Sequence, residues 1–177
     1  MDHADHVRLL RDGVTSGGTW ADLGAGTGAF TLALAELVGP TGEVIAVDRD
    51  RGALRELERT VRRDGATVRT MNADFTKPIE LPPLDGIVMA NSLHFVKDKV
   101  PVLALVRALL KPSGRLLLVE YDGDRGNTWV PHPLSFETWR ALADDTGFQG
   151  TRRLASQPSR FMGSIFSAVS EVAPPGD

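Results

Sequence analysis

Three acids and a cluster of glycines are spaced so that they could hold a nucleoside. The cluster is Asp22-Leu23-Gly24-Ala25-Gly26-Thr27-Gly28, where a short apolar run gives way to a helical pattern. Glycines at such a turn let the backbone bend tightly and let a ligand approach with no Cβ in the way. Asp48 ends the next apolar run, where a carboxylate can accept from both vicinal hydroxyls of a ribose. Asn72-Ala73-Asp74-Phe75 ends the third. The pattern points to a nucleoside-containing ligand and leaves its identity open. The spacing Gly24-x-Gly26-x-x-Ala29 also satisfies the dinucleotide fingerprint of nicotinamide and flavin enzymes.

Each acid has a plainer reading beside the chemical one. Asp48 suits the N-cap of the helix that follows, and Asp74 suits a turn. His94 follows the fourth apolar run, where a base near neutral pH could take a proton from an acceptor, or where the ring could simply pack. The stretch from Tyr121 to Leu134 is long for a strand-to-helix connection, for which about 2–6 residues are usual. It makes Tyr121, Trp129 and His132 candidates for an acceptor pocket, with Trp129 as a core plug the alternative. His3 and His6 lie one helical turn apart with no third ligand nearby, so no metal site is expected. Arg152, Arg153 and Arg160 read as a solvated edge.

The elements that must position these residues alternate regularly. Thr19–Leu23, Glu43–Val47, Thr67–Met71, Leu84–Ala90 and Leu116–Tyr121 read as strands, with Arg69 marking the third as an edge. Between them Ala29–Val38, the Leu54, Leu57, Val61 pattern closed by Gly65, and Val100–Leu110 read as helices, the last stopped by Lys111-Pro112-Ser113-Gly114. Repeated strand–helix units call for a doubly wound, mostly parallel sheet with helices on both faces. After a helix over Phe136–Thr146, the runs Gln149–Ala155 and Phe161–Val169 are joined only by Ser156–Arg160. That link is too short for a parallel crossover, so the sheet is expected to finish with an antiparallel pair.

The 177 residues fit one domain, 1–177, with an N-terminal helical segment over 1–18 and a flexible tail over 173–177. Apolar residues are 42% and charged residues 24%, the balance of a folded protein with a sizeable core. Twenty Lys and Arg against 23 Asp and Glu give a net charge of −3, which lacks the basic footprint of a duplex-binding protein. There is no cysteine, so disulfides, thiolate metal sites and a cysteine nucleophile are excluded together. No run reaches the roughly 20 apolar residues of a membrane span, and the charged first residues do not read as a signal peptide. The expectation is a cytoplasmic protein, monomer or homodimer, with no membrane or nucleic-acid partner.

Taken in order, the glycine cluster behind Asp22, the acid at 48, the acid at 74, Asp85 to Phe95 at the fourth strand and Leu110 to Glu120 at the fifth resemble the class I S-adenosylmethionine-dependent methyltransferases. The resemblance runs from about Trp20 to the last strand, and implies a seven-stranded Rossmann-like sheet with an antiparallel C-terminal strand. It makes Gly24, Ala25, Gly26 and Gly28 the loop under the methionine part, with Asp22 facing or supporting the cofactor's ammonium. It gives the ribose to Asp48 with Arg49 beside it, and the adenine amino group to Asp74. The adenine edge falls to Ala73 and the Phe75 backbone, and the amino-acid end to the Asn91 carbonyl.

The activity implied is transfer of a methyl group from S-adenosylmethionine, leaving S-adenosylhomocysteine, to a small-molecule acceptor. Catalysis would come mainly from proximity, with His94 the one candidate base. Asn91-Ser92-Leu93-His94 stands where amino-methylating nucleic-acid enzymes carry Asn-Pro-Pro-Tyr, which favours a metabolite. Two rivals remain: a non-catalytic module that binds S-adenosylmethionine or S-adenosylhomocysteine, and an NAD-dependent reductase, which normally needs more chain.

Overall fold

The computed structural model describes residues 1–61 and 65–173. The end of the stretch expected to close at Gly65 and all but Ala173 of the expected tail lie outside those residues. Strands β1 (Gly18–Leu23), β2 (Gly42–Asp48), β3 (Thr67–Asn72), β4 (Leu84–Ala90), β5 (Leu110–Tyr121), β6 (Phe148–Pro158) and β7 (Ser164–Val172) form one sheet in the order β3-β2-β1-β4-β5-β7-β6. The first five pair in parallel, and β7 runs antiparallel between β5 and β6. The doubly wound sheet with its antiparallel C-terminal strand is therefore the observed architecture, and Arg69 lies on an edge strand.

Alternation along the strands sorts side chains between two helix layers. Trp20, Val44, Val88, Leu117 and Val119 face α1 (His3–Leu10) and α2 (Ala29–Val38), where Leu9, Leu10 and Leu34 are buried. Ala21, Leu23, Ile45, Ile87, Met89, Leu116 and Leu118 face α4 (Lys99–Leu109) and α5 (Phe136–Asp145), where Leu103 and Trp139 are buried. Each large apolar side chain buried this way stabilises by about 1.5–3 kcal/mol. The same parity sends Asp22 toward α2 and Glu120 toward α4 and α5. Both acids are thereby buried.

Helix α3 (Arg51–Thr60) is capped by Asp50, whose carboxylate accepts from Gly52 N at 2.7 Å and from Ala53 N. The capping role left open for Asp48 thus falls two residues later, and Asp48 keeps its carboxylate for the strand end.

Two boundaries differ from the sequence reading. The Lys111–Gly114 stop is a wide bulge inside β5: Leu84 pairs with Leu110 but Gly86 with Arg115, so five steps of one strand answer two of the other. Ser113 takes a φ of 61° there, and Lys111 Nζ reaches Asp85. The final hairpin turns at 159–163, because Ser156–Pro158 stay paired to β7. A proline is tolerated there as the last residue of an edge strand.

Candidate functional site

The parallel strands β1 to β4 all end on one side of the sheet, and the chain that leaves each of them walls a cavity of about 510 Å3. Its lining comprises Gly24 and Gly26 after β1, Asp48 and Arg49 at β2, 73–76 after β3, and Asn91, Ser92, Phe95 and Val96 after β4. The volume is in the range of small-molecule sites. Ligands of open α/β sheets bind at this edge.

The glycine cluster divides its labour. Gly26 has a φ of +54°, and a Cβ built there would meet nothing within 4 Å, so bare backbone faces open space. Gly28 has a φ of +93°, and its Cβ would fall 2.2 Å from the Leu57 side chain. It is bare so that α2 can start against α3, and it does not line the cavity. Ala25 does not line it either: it packs with Ala46, Leu54 and Leu57. Gly24 reaches the wall, with the Ser92 side chain against it.

Asp48 ties two loops together. Its Oδ2 accepts from Gly26 N at 2.7 Å and its Oδ1 from Asp50 N at 2.8 Å. Each oxygen of a carboxylate has a second lone pair, so the group retains two acceptor sites beside the cavity. Asn72 Nδ2 donates to the Asp48 carbonyl and Asn72 Oδ1 accepts from Arg51, which joins the ends of β2 and β3. Asp74 closes a turn by accepting from Thr76 Oγ1 at 2.6 Å and Thr76 N at 3.0 Å. These bonds hold its carboxyl below the usual carboxylate range, so it is ionised on the cavity wall. The turn reading and the wall position hold together.

Of the two placements the resemblance implied for Asp22, facing or supporting, burial leaves the supporting one. Asp22 is 1% exposed, beneath the glycine loop, and accepts from Thr31 Oγ1 at 2.6 Å. Its Oδ1 is sealed without a partner, so the acid supports the loop and does not face the cavity. Burial pushes its carboxyl up to about 7; the Thr31 hydroxyl opposes this and the nearby Asp48 charge adds to it. Asn91, at a φ of 52°, does line the cavity, and its side-chain Oδ1 is also sealed without a donor. An unmet buried acceptor of this kind costs about 1–3 kcal/mol.

The acceptor-pocket expectation is not met at the cavity wall. Asn127 Oδ1 accepts from both Trp129 N and Val130 N. In the resulting turn Val130 is buried and Trp129 is 77% exposed. Trp129 is therefore neither a wall residue nor a core plug. His132 contributes backbone, donating to the His94 carbonyl and accepting from Lys99 Nζ. Tyr121 is half-buried.

His94, in a 3-10 turn over Leu93–Phe95, is 3% exposed and lies behind the cavity wall, paired with Glu120. His3 instead contacts Glu36 and His6 packs on Phe30. Among the described residues no three potential metal ligands come together, and no helix is long and apolar enough to cross a membrane.

Sequence reasoning missed Thr76, Ser92, Phe95 and Val96 on the wall, and Glu120 behind it. The first four carry no signal beyond proximity to a strand end. Glu120 had one, as the lone acid in the apolar run from Leu116 to Tyr121.

Comparison with known proteins agrees with this geometry. A family model described as a methyltransferase domain matches residues 21–114, just over half the chain. The ubiquinone/menaquinone biosynthesis C-methyltransferase UbiE of Pasteurella multocida is 36% identical over 114 residues, covering 62% of this chain and 42% of that protein. Its counterpart in Burkholderia mallei is 30% identical over 132 residues, covering 74% of this chain and 53% of that protein. The chain thus spans about half the length of the curated relatives it matches. Among solved structures, a SAM-dependent methyltransferase from Aquifex aeolicus superposes with a TM-score of 0.75 at 21% identity, covering 96% of this chain and 90% of that one. The family match and the seven-stranded topology lead to one conclusion: the chain belongs to the class I S-adenosylmethionine-dependent methyltransferases.

Proposed function

We propose that this chain binds S-adenosylmethionine along the carboxyl edge of β1 to β4 and methylates a small-molecule acceptor. Its 177 residues would act as one domain. The observation that carries the reading is the Asp48 carboxylate, held between the Gly26 and Asp50 amides and keeping two lone pairs for ribose hydroxyls. Gly26 leaves room for the chain that follows the ribose, and the ionised Asp74 offers an acceptor to the adenine amino group. At its other end the group would lie along the backbone of Gly24, Gly26 and Asn91 on the cavity wall.

When bound, the cofactor supplies a methyl group on a sulfonium, which needs only an in-line nucleophile. The protein's contribution is then to fix the acceptor at near-attack distance, which can account for about 7–11 kcal/mol of the barrier. The relatives that the chain matches over about half their length are named for carbon methylation in ubiquinone/menaquinone biosynthesis. Phe95 and Val96 on the wall give the acceptor side an apolar surface suited to such a ring.

A thermal-shift comparison tests the reading. S-adenosylhomocysteine at about 100 times its dissociation constant should stabilise by about 2.7 kcal/mol, and NAD(H) should not. Stabilisation by NAD(H) instead would point to the reductase. Binding without any homocysteine-containing product across acceptors would point to a non-catalytic module.

A further inference from the structure

Aromatic side chains carry the largest apolar surface a fold can bury, yet Phe95, Trp129 and Phe161 are 62%, 77% and 74% exposed. Topology puts all three at one edge of the sheet. Phe95 follows the carboxyl end of β4, and Trp129 stands on the connection that leaves the carboxyl end of β5. Phe161 stands in the turn between β6 and β7, at that same end of β5, since Tyr121 pairs with Ile165. Val100, also exposed, lies in the first turn of α4, five residues after Phe95.

These segments are tied to one another. Lys99 Nζ clasps the Val96 and His132 carbonyls, and His132 N donates to the His94 carbonyl, which joins the Asp122–Leu134 loop to the chain after β4. Asp122 N donates to the Ser164 carbonyl, and a Cβ built on Gly123 would meet Met162 at 3.9 Å, so the same loop is joined to the hairpin. Single exposed apolar residues are ordinary, whereas several gathered at one edge mark an interaction surface. Each segment also carries a cation. Lys97, Arg125 and Arg160 are exposed and stand two, four and one residues from Phe95, Trp129 and Phe161. None of the three forms an ion pair among the described residues. Of the acids on these segments, Asp122 pairs with Arg153 and Asp124 accepts from Ser135 N, which leaves Asp98. In a chain of net charge −3, this edge is locally basic. Exposed aromatic rings interleaved with cations match the headgroup layer of an anionic membrane.

We propose that this edge docks on the surface of an anionic lipid bilayer. Phe95, Val100, Trp129 and Phe161 enter the headgroup layer, and Lys97, Arg125 and Arg160 meet lipid phosphates. Phe95 also lines the cavity, so docking brings that wall to the lipid, where an apolar acceptor concentrates. This consequence for the acceptor rests on the methyltransferase reading; the docking itself does not. Surface docking needs no spanning helix, and it departs from the expectation of no membrane partner.

The test is sedimentation of the protein with vesicles of equal parts phosphatidylglycerol and phosphatidylcholine, read together with tryptophan emission. Trp20 and Trp139 are fully buried, so a blue shift on binding reports Trp129. Wild type should bind with a blue shift, and vesicles of phosphatidylcholine alone should bind it far more weakly. A basic side chain near an anionic surface contributes about a fivefold factor, so Lys97→Gln, Arg125→Gln and Arg160→Gln combined should weaken binding about 100-fold at low salt. Trp129→Ser with Phe161→Ser should weaken it by about tenfold or more. All five sites are exposed, so neither variant should move the denaturation midpoint. No binding by wild type, equal binding to phosphatidylcholine alone, or binding that survives both sets of substitutions overturns the proposal. A dimer in sedimentation velocity that the same substitutions disperse also overturns it, since the face would then belong to a second copy. Neither readout involves S-adenosylmethionine, so the outcome is independent of the cofactor reading.

Discussion

Asp22 carries a charge that the fold resists. Its carboxyl sits at about 7 in the folded chain against 3.8 for an ordinary aspartate, because burial disfavours the ionised form. The folded state therefore holds this proton more tightly than the unfolded chain. The stabilisation is fully present below about pH 4, declines as pH rises toward about 7, and amounts to about 4 kcal/mol across the window. Asp22→Asn should flatten that portion of the denaturation free energy against pH. An unaltered slope would mean that Asp22 ionises freely.

Asp48 accepts backbone amides at both of its carboxylate oxygens. Asp48→Ala removes charge-assisted bonds worth about 1.5–3 kcal/mol, so calorimetry should show S-adenosylmethionine binding weakened by tenfold or more. Equal affinity in the variant would remove the ribose assignment. The acids were legible in the sequence because each lies at or just past the end of an apolar run. Their division between wall and underside was not, because it depends on which helix layer the alternating strand turns each one toward.

At the scale of elements, the glycine turn and the loop after β5 behave differently. Gly28→Ala puts a Cβ against Leu57 at a positive φ, which should lower the denaturation midpoint by the equivalent of about 1–3 kcal/mol. Trp129 is 77% exposed, so Trp129→Ala should leave stability within about 0.5 kcal/mol. A large loss there would show that the loop packs otherwise. The motif spacing revealed the turn but not which glycine faces the cavity, because Leu57 arrives from a different element. The terminal hairpin was legible because a five-residue link forbids a parallel crossover. The loop was opaque because one Asn127 side chain decides whether Trp129 or Val130 turns inward.

For the whole molecule, the parallel order of β1 to β4 gathers four chain exits at one edge, and the doubly wound pattern foretold that gathering. Phe95, Trp129 and Phe161 are all largely exposed, and Phe95 lines the cavity. The matched segments cover 42% and 53% of the two relatives' own lengths. The cofactor half of the chemistry should nonetheless reside in these 177 residues, since the cavity wall runs only from Gly24 to Val96.

A crystal structure with S-adenosylhomocysteine examines that claim directly. The ribose hydroxyls should lie on Asp48, the adenine beside Ala73, Asp74 and Phe75, and the amino-acid end by Gly26 and Asn91. A ligand seated elsewhere, for example in the cleft beside His3, Glu36 and Pro40, or a saturated crystal whose Asp48 touches no ribose, would contradict the account.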